Sequence, residues 1–174
     1  AHEVGSLATG SPGELGLLKV LAEEFARRND AQMVWVKAGT GQSLNLLKDK
    51  KVDMVMVHAP GQVEAALKDG WATKKTLIGS NEFYIVGPKA DPAGVAVTKS
   101  AVDAYRRISS VGSPFVSRGD NSGTHQKVSE VWRAAGRRPG GMAYVVTKDF
   151  MTASMRRATD EGGYFLTDSS TFIA

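Results

Sequence analysis

Val4-Gly5-Ser6-Leu7-Ala8-Thr9-Gly10-Ser11-Pro12-Gly13-Glu14-Leu15 is the stretch on which the fold class turns. Residues 4–8 read as a short strand and residues 9–13 as a turn of hydroxyl-bearing and glycine residues. Leu15, Leu18, Leu21, Ala22 and Phe25 then recur at helical spacing. Ser11 is placed to cap that helix, Pro12 suits its first turn, and Glu14 follows three residues later as in a capping box. Strand, small polar turn and helix, in that order, form the repeating unit of α/β sheets.

The same unit recurs along the chain. Residues 33–37 are β-like, Gly39-Thr40-Gly41-Gln42 is a glycine turn, and Leu44 and Leu47 begin a short helix. Met54-Val55-Met56-Val57 is an apolar run expected of a strand buried on both faces. His58-Ala59-Pro60-Gly61 ends it, and a helix through Val63, Ala66 and Leu67 stops at Gly70. Residues 76–78 and 83–86 read as two closely spaced strands that cross into a second lobe. Beyond a Pro- and Gly-rich loop, Val102, Tyr105 and Ile108 mark a helix, and Pro114-Phe115-Val116 a strand. Val128, Val131, Trp132 and Ala135 lie at i, i+3, i+4 and i+7 of a helix that closes at Gly136. A strand over 143–146, a helix carrying Phe150, Met151, Met155 and Ala158, and a strand over 164–166 complete the pattern. The expectation is an α/β fold of open, mostly parallel sheets flanked by helices. Its two lobes cover residues 1–79 and 80–174.

Composition narrows the function classes. With 174 residues and 42% apolar content the chain can bury a real core. Its 22 basic and 18 acidic residues leave a net charge of +4, a mild preference for anions. The basic residues are scattered and no aromatics interleave with them, which argues against a nucleic-acid partner. The absence of cysteine removes disulfides, thiolate catalysis and Cys-based metal sites together. His2, His58 and His125 show no metal-ligand spacing, so no metal and no cofactor are expected. No apolar run approaches the roughly 18 residues needed to cross a bilayer. Ala1 stands first, with neither an initiator Met nor an apolar leader, as in a processed export product or a trimmed piece.

Ser117-Arg118-Gly119-Asp120-Asn121-Ser122-Gly123-Thr124-His125 carries the chemistry. It runs into a helix, and helix N-termini combine unpaired N–H donors with a partial positive charge that suits a small anion. Thr and Ser hydroxyls add neutral donors, and Arg118 can present a planar fork to two anion oxygens. In open α/β sheets ligands bind beyond the carboxyl ends of the strands, where all three hydroxyl-and-glycine turns fall. Taken singly, each turn reads equally as a helix cap, and Arg118 equally as the partner of Asp120. Ser122 and His125, three residues apart on a helix, raise a Ser–His hydrolase as an alternative, although no G-x-S-x-G elbow surrounds them. Phosphate or sulfate carriage is the alternative closest in chemistry.

These motifs together resemble one family. Leu7-Ala8-Thr9 with Ser11, Gly39-Thr40-Gly41-Gln42-Ser43-Leu44, Val57-His58-Ala59-Pro60, Ser117 through His125 and Gly162-Gly163-Tyr164-Phe165-Leu166-Thr167-Asp168 are similar to the periplasmic tungstate-binding components of bacterial ABC transporters. That family is a branch of the type II periplasmic binding proteins. The resemblance implies two α/β lobes that hold tungstate, or molybdate, in the cleft between them without catalysis, for delivery to a membrane permease. By position it implies Thr9, Ser11, Thr40, Arg118, Ser122, Gly123, Thr124 and Ser154 as oxyanion-binding residues. Gly10, Pro12 and Leu15 depart from a first motif that is richer in hydroxyls in the family. The resemblance also implies a C-terminal return to the first lobe beyond Ala174. A first lobe left incomplete is expected to be filled by self-association.

Overall fold

Three parallel strands organise the first part of the chain. β1 (Glu3–Thr9) pairs with β2 (Ala31–Lys37) along its whole length, Leu7 opposite Trp35 and Thr9 opposite Lys37. On its other side Leu7 and Ala8 pair with Met54 and Val55 of β3 (Met54–Val55), giving the order β2-β1-β3. The crossovers are α1 (Ser11–Glu14) with α2 (Leu17–Arg28), and α3 (Thr40–Lys48); α4 (Pro60–Lys68) follows β3. The Asp53 carboxylate fixes the register of β3 by accepting from the Ser6 N–H at 2.8 Å and the Ser6 hydroxyl at 3.0 Å. Those two bonds hold its pKa below the ordinary carboxylate value.

The computed structural model describes residues 3–137 and 140–174; His2 lies outside them. The chain forms two compact units. One runs through Ser80 and includes Asn121–Gly123; the other comprises Asn81–Asp120 and Thr124–Ala174.

The second unit has a four-stranded sheet in the order β4-β7-β5-β6. β4 (Phe83–Val86) is antiparallel to β7 (Tyr164–Asp168), while β5 (Phe115–Ser117) is parallel to both β7 and β6 (Tyr144–Val146). Helices α5 (Ala101–Val111), α6 (Gly123–Ala135), α7 (Met151–Glu161) and α8 (Ser169–Ile173) complete the series. Alternate residues of β5 and β7 feed two cores. Phe115, Tyr164 and Leu166 pack with Tyr105, Ile108, Val128 and Trp132, whereas Val116 and Phe165 pack with Met151 and Ala158. Both faces are therefore apolar, as in a helix-covered parallel sheet.

Four expectations are corrected. Ser11 is not an N-cap: Gly10 takes that place with no side-chain bond, and Ser11 is the first residue of α1. The single helix expected from Pro12 through Phe25 is also two helices, broken where Gly16 adopts a left-handed φ of 93°. Residues 76–78 form no strand; Leu77 is 84% exposed, and β-rich composition without a neighbouring strand does not make one. The run 54–57 is a two-residue strand with Met54 43% exposed, so it is not buried on both faces. Its ladder continues only as the Met56 N–H bond to Ala8 O at 3.1 Å.

Candidate functional site

In the first unit, Asn121–Gly123 lies along the start of α3. The Gly41 N–H donates to Asn121 O at 2.8 Å, and the Ser43 N–H closes the first turn on Gly39 O, also at 2.8 Å. A Cβ on Gly123 would stand 2.8 Å from the His58 ring and 3.0 Å from Thr40 Oγ1, so only glycine lets the backbone pass there. Thr40, Ser122 and Gly123, assigned separately from sequence, are thus brought together, with His58 and Asn121 beside them. Thr40 and Ser122 are both buried. Thr9 is buried at the end of β1, where its hydroxyl donates to Met56 O at 2.7 Å and its carbonyl accepts from the Trp35 indole at 2.9 Å. In this arrangement Thr9 ties β1 to the segment after β3. Ser11 sits half-buried in α1, its carbonyl accepting from the Leu15 N–H at 2.8 Å.

The second unit holds the arginine loop on several sides. Where β5 ends, the Thr147 N–H donates to Ser117 O at 3.0 Å and the Lys148 N–H to Arg118 O at 2.9 Å. The Lys148 ammonium donates to Gly119 O. Gly119 has φ of 65°, and any Cβ on it would collide with Val146. Arg118 is only 4% exposed. Its Nε and Nη2 donate to Asp120 Oδ2 at 3.1 and 2.8 Å, and its guanidinium lies 5.0 Å from the Phe150 ring centroid. A cation buried to that degree requires such partners. Asp120 engages one edge of the fork and leaves Nη1 outside the pair.

Thr124, in the first turn of α6, is 1% exposed. Its Oγ1 is buried and has no hydrogen-bond partner among the described residues. A hydroxyl in that condition destabilises the fold unless something arrives to satisfy it. Ser154 is different. It shares a 2.7 Å bond with Thr147 Oγ1 and donates to Asp149 O at 3.3 Å, holding the turn that leads into α7.

His125 has both ring nitrogens engaged. Nδ1 is 2.9 Å from Ser117 Oγ and receives the Gly119 N–H at 3.2 Å, and Nε2 is 3.4 Å from Ser129 Oγ. Burial pushes its pKa below the ordinary 6.5; Asp120 opposes that shift, and Lys148 and Arg118 reinforce it. The serine bonded to its Nδ1 is Ser117, a fully buried residue, so the geometry lends the Ser–His hydrolase no support. Among the described residues no group of three or more His, Asp or Glu is placed to hold a metal ion, and no helix is long and apolar enough to cross a membrane.

Sequence reasoning missed the neighbourhoods of Asn121, His58, Thr147 and Lys148. His58 carried a signal in its V-H-A-P motif, and Gly123 in being glycine; Asn121, Thr147 and Lys148 carried none, since the segments they bond to are distant in sequence or are reached through the backbone.

Residues 3–174 match the model of the PBP superfamily domain, and the chain belongs to that family. A structure of the tungstate ABC transporter protein from Geobacter sulfurreducens is 38% identical, covers 98% of this chain and 74% of its own, and superposes with a TM-score of 0.84. Within the superfamily the chain belongs with the tungstate-binding components of ABC transporters. The tungstate-binding protein TupA of Peptoclostridium acidaminophilum is 32% identical over 168 residues, covering 95% of this chain and 59% of that protein. An ABC transporter anion-binding protein of Haloferax volcanii is 35% identical over 173 residues, 99% of this chain and 51% of its own length. The chain thus spans between half and three-fifths of these curated relatives. The relatives are binding proteins.

Proposed function

We propose that this chain binds a tetrahedral oxyanion, tungstate with molybdate as its nearest rival, for delivery from the periplasm to an ABC permease. Thr40, Ser122 and Gly123 in the first unit, and Arg118 and Thr124 in the second, supply the donors. Thr9 and Ser154, whose hydroxyls are bonded within the protein, brace the segment after β3 and the turn into α7. Ser11 lies in the following turn and adds a further hydroxyl. The two compact units act as the two lobes of the family. The reading requires no cofactor and no catalytic step.

The observation that carries this reading is the Thr124 hydroxyl. It is buried at the start of a 13-residue helix, without a partner among the described residues, one residue from the glycine that admits Thr40. Helix-start amides, small hydroxyls and a fixed guanidinium are complementary to a compact dianion and offer little to an apolar guest.

Calorimetry with tungstate, molybdate, sulfate and phosphate tests it. Tungstate and molybdate are expected to bind more tightly than sulfate and phosphate, and no heat from any of the four defeats the proposal. Thr124→Val keeps the side-chain shape and removes the orphan hydroxyl. It is expected to raise the stability of the unliganded protein by about 1 kcal/mol while weakening tungstate binding at least about tenfold. Loss of stability without loss of affinity would make Thr124 a structural residue only.

A further inference from the structure

We infer that His125 is a positioning residue for anion binding: its Nδ1 accepts from Ser117 Oγ and the Gly119 N–H and so fixes the loop that carries Arg118. The inference rests on the oxyanion reading and assigns a role to a residue which that reading does not use.

A backbone N–H can only donate, so the ring nitrogen that receives Gly119 carries no hydrogen, and the Ser117 hydroxyl donates to the same lone pair. The proton of the neutral ring is therefore on Nε2, pointing to Ser129 Oγ one helical turn further along α6. Burial and the cations Lys148 and Arg118 favour that neutral ring, against the opposing charge of Asp120.

The consequence is mechanical. Ser117 and Gly119 flank Arg118 directly. One face of the loop is held by Thr147 and Lys148 through backbone bonds, and Gly119 is forced into its left-handed conformation beside Val146. His125 is the hold from α6, so it fixes the arginine loop relative to the helix start that carries Thr124. Without the Nδ1 acceptor, the Gly119 N–H and the Ser117 hydroxyl must seek other partners. Any movement they make carries Arg118 with it.

Two variants separate this role from simple packing. His125→Asn places an amide oxygen where Nδ1 stands and keeps the acceptor; His125→Phe keeps a ring and removes it. Tungstate calorimetry on the full chain is expected to show His125→Phe weakened at least about tenfold and His125→Asn within about threefold of the unaltered protein. Equal affinities for His125→Phe and the unaltered protein would overturn the inference, as would equal losses in the two variants. Should His125→Phe fail to fold, nitrogen-15 NMR of the unaltered protein still decides. An unprotonated Nδ1 coupled to the Gly119 N–H supports the inference, and a proton on Nδ1 overturns it. No tungstate heat from the unaltered protein defeats the oxyanion reading and this inference with it; a proton on Nδ1 defeats this inference alone.

Discussion

The first unit's core is built on Ala8, Ala38 and Val52, with Val36, Leu46, Leu47 and Val55 packed around them. The second packs Tyr105, Phe115 and Trp132 on one face of its sheet and Met151 and Phe165 on the other. The rings of Tyr105, Phe115 and Trp132 sit 4.3 to 5.1 Å apart, centre to centre. In the first unit, by contrast, Val34 and Trp35 of β2 are 49% and 40% exposed. The arginine loop therefore grows from a densely packed sheet covered on both sides, and the Thr40 turn from a lightly packed one. A geometry-sensitive group such as a guanidinium fork gains most from a rigid base.

Core truncations test that contrast most severely. Phe115→Ala is expected to cost about 3–5 kcal/mol in urea unfolding, because it empties the middle of the aromatic cluster. Trp132, the one tryptophan of that unit, reports the loss by fluorescence. Val52→Ala removes two methyl groups from the first unit's core and is expected to cost about 1.5 kcal/mol. A Val52→Ala penalty equal to that of Phe115→Ala would erase the difference between the units.

The smallest effect is set by pH. A histidine whose folded pKa lies below its unfolded value binds fewer protons in the fold than in the unfolded chain. Stability is thus complete above 6.5 and declines as pH falls from there through the lowered pKa of His125. The carboxylates held below their ordinary values, Glu24 from 4.5 and Asp53 and Asp91 from 3.8, lose their contribution mainly below that window. Thermal unfolding between pH 7 and 5 is expected to show a modest decline that His125→Asn flattens. An unchanged slope in that variant would remove His125 as the source.

How much of this was legible in the sequence depends on the range of the interaction. The alternation of strands and helices is written in local periodicity, and the order of elements follows from it. The three hydroxyl-and-glycine turns likewise announce themselves, because cap chemistry is local. Ser11 went wrong at the scale of one residue: Gly10 and Ser11 are both acceptable cap residues, and only the path of the backbone chooses. Residues 76–78 went wrong because a strand needs a neighbour that composition does not reveal. The approach of Asn121–Gly123 to α3 spans some eighty residues and leaves no trace except glycine at 41 and 123. His125 looked like a candidate catalytic base by spacing to Ser122; its bonds to Ser117 and Gly119 run back across a loop whose course spacing does not give.

The ion pair between Arg118 and Asp120 has a consequence for discrimination. Any anion reaching that guanidinium meets a tenant, an internal carboxylate already holding Nε and Nη2. A monovalent visitor such as chloride brings no more charge than the tenant does and only one acceptor atom, so the exchange gives it little advantage. A divalent visitor brings twice the charge and several acceptors at once. On the oxyanion reading proposed above, the carboxylate thereby acts as a threshold, screening the arginine from weakly bonding monovalent anions while leaving it open to a divalent one.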